Sequence, residues 1–184
     1  MTQLDNAEVI GAIFEACNEK RKLILALLAL AGEPMGRRRI HEHLAPLGES
    51  LVEDDLADDL EALRADGLVG ELPSRGYVVT PDLAWPAMAW AIRGRRLNAL
   101  REVYQTVTPL RLDWQGTPML RSYRQGVALL RMALLAGEGP KTIASLLAAC
   151  LRCHEAAYLH PLVEICARPF EPELIERING AVLY

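Results

Sequence analysis

The spacing of apolar residues predicts helices along most of the first half of the chain. Asp5 and Glu8 have the spacing of a capping box and precede an apolar helical face, which indicates a helix that starts near Asp5. A second helix is predicted over 19–31, because Gly32 permits the left-handed backbone that commonly ends a helix. A third, shorter helix is predicted over 36–47.

The clearest helical pattern lies between residues 50 and 67. Ser50 and Glu53 form a second capping box, and Gly67 ends the pattern. A single apolar stripe runs along this segment and consists of Val52, Leu56, Leu60 and Leu63. We therefore expect a helix with one buried face and a polar face opposite to it.

Two short apolar runs after this helix, 68–72 and 77–79, predict a β hairpin whose turn is the segment 73–76. Helices followed closely by such a hairpin are the element order of a winged helix. The segment 60–69 (LEALRADGLV) resembles the end of the recognition helix and the first wing strand in many winged-helix domains. The sequence thus predicts an N-terminal winged-helix domain over 1–80, with three or more helices and a short β hairpin.

Helical patterns also fill the second half, where glycine and proline separate them. Thr80-Pro81-Asp82 combines a helix cap, a proline tolerated at the first helical position and an acid in the first turn. The apolar helical segments lie at 85–92, 97–107, 119–136, 140 to about 158, 161–167 and from 172 onward. Residues 109–118 stay unassigned, and no fixed internal period identifies a repeat family. These patterns predict an α-helical hairpin or solenoid-like region over 81–184, and a mainly α protein.

Two phrases in the second half carry a family resemblance, 160–165 (HPLVEI) and 168–172 (RPFEP). Together with a winged helix followed by leucine- and alanine-rich helical hairpins, they look like the region preceding the motor in some large bacterial helicase-like ATPases. The resemblance implies an accessory module of a larger DNA-handling protein. The sequence has no G-x-x-x-x-G-K-[ST] loop, so the motor would lie outside these residues. The apolar segment 178–184 is also expected of a chain cut from a longer protein.

Composition favours a folded, reduced protein in the cytoplasm. Hydrophobic residues make up 51% of the chain and charged residues 24%, which argues against a disordered protein. The four cysteines lack the dense, even spacing of a disulfide framework. The apolar run 23–31 follows an acidic leader and is too short to span a bilayer. Neither a signal peptide nor a membrane partner is therefore expected.

The outward face of the predicted recognition helix is acidic. Opposite the buried stripe lie Asp54, Asp58 and Glu61, the candidate partner-binding residues. Between 49 and 71 the sequence holds nine acids and one arginine, a net charge of −8. Such a face is typical of a solvated helix, or of a surface that docks a basic protein partner. It disfavours conventional major-groove reading, because phosphates repel carboxylates and bases are read mainly by Arg, Lys, Asn or Gln.

Positive charge is concentrated elsewhere in the sequence. Eight arginines and three acids lie between 72 and 126, a net charge of +5, although the whole chain carries −4. The candidate nucleic-acid-binding residues are Arg37, Arg38, Arg39, Arg75, Arg93, Arg95 and Arg96. Such a set can hold DNA phosphates from the wing and the start of the preceding helix without reading sequence. The alternative is a set of ordinary surface arginines whose stems cover apolar neighbours.

One motif suggests a cofactor. Cys150-Leu-Arg-Cys153-His154 has the C-x-x-C-H pattern of covalent haem attachment, and with His160 and Cys166 it offers ligands to zinc. On one continuous helix the two thiols and the imidazole share a face, but that face also continues an apolar stripe, where free cysteine commonly packs. Haem attachment needs export, and zinc needs a second tight ligand pair. We therefore expect core packing here, with no metal and no cofactor.

The sequence contains no G-x-S-x-G, no H-E-x-x-H and no glycine-rich dinucleotide fingerprint, so no catalytic residue is assigned. The expected function is a non-enzymatic accessory module. It would dock a protein partner or the remainder of a longer parent chain, and contact the DNA backbone without sequence preference. The alternative is a free-standing winged-helix transcription regulator, whose helical half serves dimerisation or effector binding.

Overall fold

Helices dominate the chain, which confirms the mainly α fold expected from the spacing of its apolar residues. The computed structural model describes residues 3–47, 53–73, 75–167 and 176. The chain forms two compact units, Met1–Val103 and Tyr104–Tyr184, and the boundary between them falls inside the helix Leu97–Val107. None of the described helices has both the length and the apolar composition that crossing a bilayer requires.

The first unit is built around its second helix. Helix α1 spans Gln3–Ala16 and helix α2 spans Glu19–Ala31. All residues of α2 from Leu23 to Ala31 are buried, because apolar side chains surround this part of the helix on every side. Asn18 caps its first turn, where the side-chain oxygen accepts a hydrogen bond from the backbone N–H three residues later at 2.9 Å. The apolar run 23–31 is therefore the core of this unit.

Two more helices and a hairpin follow in the order expected from the sequence. They are α3 (Arg37–Leu44), α4 (Glu53–Ala65), β1 (Val69–Leu72) and β2 (Gly76–Val79). The predicted hairpin is confirmed, since β1 and β2 pair antiparallel with Val69 opposite Val79.

Helix α3 and strand β2 pack against α2, while α4 packs against α3 and β1. Met35 forms an isolated antiparallel β-bridge with Tyr77, so one residue of a further strand lies beside β2. The predicted stripe of α4 is buried at Leu56, Leu60 and Leu63, while Val52 lies outside the described residues. Helix α5 (Pro81–Arg93) packs against both α1 and α2.

The second unit is built around a helix that is buried on nearly every side. After α6 (Leu97–Val107) come a two-stranded hairpin and three further helices. The elements are β3 (Arg111–Leu112), β4 (Pro118–Met119), α7 (Tyr123–Leu135), α8 (Pro140–Leu151) and α9 (Pro161–Ala167), with a 3-10 turn at His154–Ala157. Helix α7 is the buried centre, and both α8 and α9 pack against it.

Three sequence-based boundaries in this half were wrong or lie outside the described residues. The helix predicted from 119 begins at Tyr123, because Met119 belongs to a strand and Ser122 caps the helix through a hydrogen bond from the Gln125 N–H at 3.2 Å. The helix predicted from 140 to about 158 ends at Leu151. The helix predicted from 172 onward lies outside the described residues, apart from residue 176.

Candidate nucleic-acid interface

The hairpin β1–β2 is locked against the start of α3. Gly76 has a φ of 101°, and a Cβ atom at this position would lie within 3.0 Å of the carbonyl group of Met35 and 2.5 Å from the Gly36 nitrogen. Met35 and Tyr77 exchange two backbone hydrogen bonds of 2.9 and 2.8 Å across the same contact. Because Arg75 precedes Gly76 and Arg37 follows Gly36, the contact brings these two arginines to one place.

The other two arginines at the start of α3, Arg38 and Arg39, form ion pairs with glutamates close to them in the sequence. Arg38 pairs with Glu42 one turn along the helix at 2.9 Å, and both side chains are well exposed. Arg39 pairs with the largely buried Glu33 at 2.6 Å. Exposed pairs of the first kind contribute little to stability and exchange readily for another anion, whereas the pair of Arg39 is part of the local structure.

Arg93, Arg95 and Arg96 lie at the turn between α5 and α6, and all three are exposed. Arg95 has a φ of 57°, a left-handed conformation that side chains with a Cβ adopt at a cost of about 1 kcal/mol. Arg96 lies 3.7 Å from Glu19 at the start of α2. The seven candidate arginines therefore belong to three segments of the first unit: the start of α3, the hairpin turn at Arg75, and the turn between α5 and α6.

The acidic face of α4 is partly neutralised. Asp58 and Glu61 are exposed as expected, and the side chain of Asp54 lies outside the described part of the chain. Arg64 contacts Glu61 at 2.7 Å and Glu71 at 3.2 Å, so one cation is shared between two of the acids. Arg64 is already included in the net charge of −8, so the pairing places that one positive charge beside Glu61 and Glu71 and leaves Asp58 without it.

Asp59, which was not among the residues predicted from the sequence, joins α4 to α2. Its side chain contacts Lys20 at 2.9 Å and Arg21 at 2.8 Å, and the residue is only 8% exposed. Burial alone raises the pKa of this carboxyl, but the hydrogen bonds and charges of the two cations outweigh it and hold the pKa below its usual value. The helical position was a usable signal, since residue 59 lies about 60° from Leu56 and therefore on the buried side of α4.

The cysteine motif does not form the single helical face expected from its spacing. Helix α8 ends at Leu151, so Cys150 is buried in the core, Cys153 precedes the 3-10 turn and His154 is exposed. Burial raises the pKa of the Cys150 thiol to about 12, which keeps it protonated and unreactive. His154 instead lies edge-on to Tyr158, with ring centroids 5.2 Å apart.

Neither additional zinc ligand considered from the sequence joins this motif. The ring nitrogen of His160 accepts a hydrogen bond from the backbone N–H of Leu162 at 3.3 Å. Cys166 is half-buried, and burial raises the pKa of its thiol. Within 3–47, 53–73 and 75–167, no group of three or more His, Cys, Asp or Glu side chains is arranged to hold a metal ion.

No protein-family model, curated protein or solved structure matches the chain. What this surface can bind therefore has to be inferred from the chemistry of its own residues. The feature that the structure assembles from distant segments is the close backbone contact of Gly76 with Met35 and Gly36, which Arg75 and Arg37 flank. Two guanidinium groups on a fixed backbone suit phosphate oxygens, to which they donate charge-assisted hydrogen bonds.

Proposed function

We propose that this chain is a non-enzymatic accessory module that holds duplex DNA by its phosphates through a winged helix over 1–80. The element order supports the winged helix: α2, a bridge strand at Met35, α3, α4 and then the hairpin β1–β2. The family resemblance of the sequence supports a place within a larger DNA-handling protein.

The contact between Gly76 and Met35 carries the proposal. It brings the backbone next to Arg75 in the hairpin turn close to the backbone next to Arg37 at the start of α3, so that two exposed cations lie in one region of the surface. Less ordering entropy is then lost on binding than for two arginines on independent loops. Arg38 adds a third exposed cation on the next position of α3, where it pairs with the exposed Glu42.

The face of α4 supports contact without base reading. Asp58 and Glu61 lie where a conventional recognition helix carries base-reading side chains, and the nearby Arg64 is shared by Glu61 and Glu71. Carboxylates oriented towards a major groove meet repulsion from the phosphates on both sides. DNA would therefore approach the hairpin and the start of α3, while α4 faces away or docks a basic partner protein.

A salt titration of the full chain tests this function. Binding to two unrelated duplexes of about 20 base pairs is measured by fluorescence anisotropy between about 50 and 200 mM salt. We expect equal affinity for both duplexes, and in R37A/R75A a slope of log K against log salt that is shallower by about 0.9 for each phosphate no longer neutralised. The DNA affinity of Arg75→Ala is compared with that of the control Lys141→Ala, which also removes one exposed cation but from the second unit.

Changes to the acidic residues separate this proposal from its alternative. Asp54, Asp58 and Glu61 replaced together by Ala should leave DNA affinity unchanged or increased, because repulsive charge is removed. If that variant instead loses a preference for one duplex, α4 reads bases and the transcription-regulator interpretation is favoured. If R37A/R75A binds both duplexes as tightly as the unchanged chain, the proposed phosphate contact is refuted.

A further inference from the structure

The hairpin β3–β4 of the second unit displays large apolar side chains to solvent. Trp114 at its tip is 90% exposed, Leu112 is 62% exposed and Met119 is 54% exposed. Trp114 is the most exposed of the large hydrophobic residues in the described part of the chain. By the register of the strands, Leu112 shares one face of the hairpin with Pro118, and Met119 shares the other face with Arg111. Trp114 at the tip is thus the apolar side chain best placed to contact a partner, a role in which tryptophan is enriched.

A buried glutamine closes the base of this hairpin. Gln125 on α7 is 1% exposed, and its side-chain nitrogen donates to the carbonyl of Thr108 at 3.2 Å. Its side-chain oxygen accepts a hydrogen bond from the backbone N–H of Arg121 at 2.7 Å. One side chain therefore ties together the two ends of the segment 108–121.

The second strand of the hairpin is anchored to the helices behind it. Leu120 packs so closely on Gly126 that a Cβ atom there would lie within 3.0 Å of the leucine side chain and 2.6 Å from the sulfur of Cys150. Arg152, just after α8, donates a hydrogen bond from its guanidinium to the carbonyl of Pro118 at 3.1 Å. The strand consequently has both an apolar and a polar attachment to the core of its unit.

The tip is ordered as well. The Asp113 carboxylate accepts hydrogen bonds from the backbone N–H groups of Gln115 and Thr117, each at 2.8 Å. Gly116 supplies a φ of 77°, which the turn needs and which L side chains rarely adopt. The N–H of Gly116 donates to the carbonyl of Asp113 at 3.0 Å. Trp114 therefore projects from a preorganised turn.

The charge around the hairpin indicates what kind of partner fits it. The exposed arginines close to it in sequence or contact are Arg111, Arg121, Arg124 and Arg152. Between 108 and 126 the only acid is Asp113, whose carboxylate is occupied by backbone N–H groups. Arg124 lines a pocket together with Glu155 and Glu164, so Arg111, Arg121 and Arg152 are the arginines that give the hairpin its positive charge. Arginines beside an exposed aromatic ring match a polyanion that offers flat apolar faces, and unpaired bases on a phosphate backbone are such a ligand.

We infer that the Trp114 hairpin is a stacking site for single-stranded nucleic acid. The indole stacks on an unpaired base, and the neighbouring arginines contact the phosphates. A base inside a duplex has both faces covered by its neighbours, so the site selects unpaired strands. This inference concerns residues of the second unit alone and does not depend on the winged helix or on Arg37 and Arg75.

The test measures binding of the full chain to a labelled oligothymidylate and, in parallel, to an oligouridylate. Trp114→Ala should weaken binding by about 10- to 100-fold, whereas Trp114→Phe should retain most of it because phenylalanine still stacks. The matched control is Tyr158→Ala, which removes another aromatic residue of the same unit, 78% exposed. Circular dichroism checks that each variant keeps the helical content of the unchanged chain.

Two further variants separate this site from the proposed duplex contact. R111A/R121A should lower the dependence of single-strand affinity on salt by about 0.7 for each phosphate that the variant no longer neutralises. R37A/R75A should leave affinity for the single strands unchanged, so failure of either proposal is visible on its own. The inference is overturned if Trp114→Ala and Tyr158→Ala bind the single strands equally well. It is also overturned if Trp114→Ala abolishes only binding to anionic lipid vesicles or self-association.

Discussion

Replacing Gly76 by alanine should break the contact that joins the hairpin β1–β2 to α3. The new Cβ would lie within 3.0 Å of backbone atoms of Met35, which cannot rotate away as the end of a side chain can. The φ of 101° is also strained for alanine, at a cost of about 1–3 kcal/mol. Losing the two hydrogen bonds between Met35 and Tyr77 adds about 1 kcal/mol for each bond.

The net loss of unfolding free energy follows from these contributions. Alanine restricts the unfolded chain more than glycine does, which offsets about 0.4–1 kcal/mol. We therefore expect Gly76→Ala to destabilise the first unit by about 2–4 kcal/mol, a large part of the stability of a small domain. The variant should also weaken duplex binding, because Arg75 is no longer fixed beside Arg37.

Gly70 on the facing strand provides a matched control. A Cβ atom at Gly70 would lie 3.7 Å from a methyl group of Val78, which is an ordinary contact. Gly70→Ala should change stability by less than about 1 kcal/mol. Urea unfolding is followed by the fluorescence of Trp85 and Trp90, which are half-buried on α5 in the same unit. Equal urea midpoints for Gly76→Ala and Gly70→Ala would refute the close backbone contact and the preorganised arginine pair built on it.

Three further perturbations have defined outcomes. Asp59→Asn should destabilise the first unit by about 1–3 kcal/mol at neutral pH, since its two cations on α2 lose their counter-charge. The pKa of Asp59 is lowered in the folded state, so this difference should be complete above about pH 4 and should shrink as urea midpoints are measured at lower pH. His43 is buried and burial lowers its pKa, so the unfolded chain takes up a proton first and stability should fall as pH drops below about 6.5. His43→Asn should remove that part of the pH dependence of the melting temperature, and an unchanged profile would show that His43 does not cause it. Gln125→Leu should lower the free energy of unfolding of the second unit by about 2–4 kcal/mol, because the carbonyl of Thr108 and the N–H of Arg121 both lose a partner. An unchanged free energy of unfolding would mean that Gln125 does not hold the two ends of the hairpin segment together.

Local patterns were sufficient for most helices and for the first hairpin. The buried face of α4 could be recognised from the sequence because residues spaced by three and four positions share a face of any helix. The turn 73–76 between two short apolar runs predicted β1–β2 in the same way. The second hairpin escaped prediction because β3 and β4 contain two residues each, too few to show an alternating pattern.

The candidate sites depended more strongly on tertiary structure. The sequence was enough to identify the arginine-rich segments and the acidic helix, because charge can be counted without a fold. It could not show that Gly76 meets the backbone just before α3, that Asp59 turns inward to Lys20 and Arg21, or that Gln125 hydrogen-bonds both ends of the segment that carries Trp114. These contacts join residues far apart in the chain, so packing and backbone geometry decide them, whereas spacing along one element decides only which residues share a face.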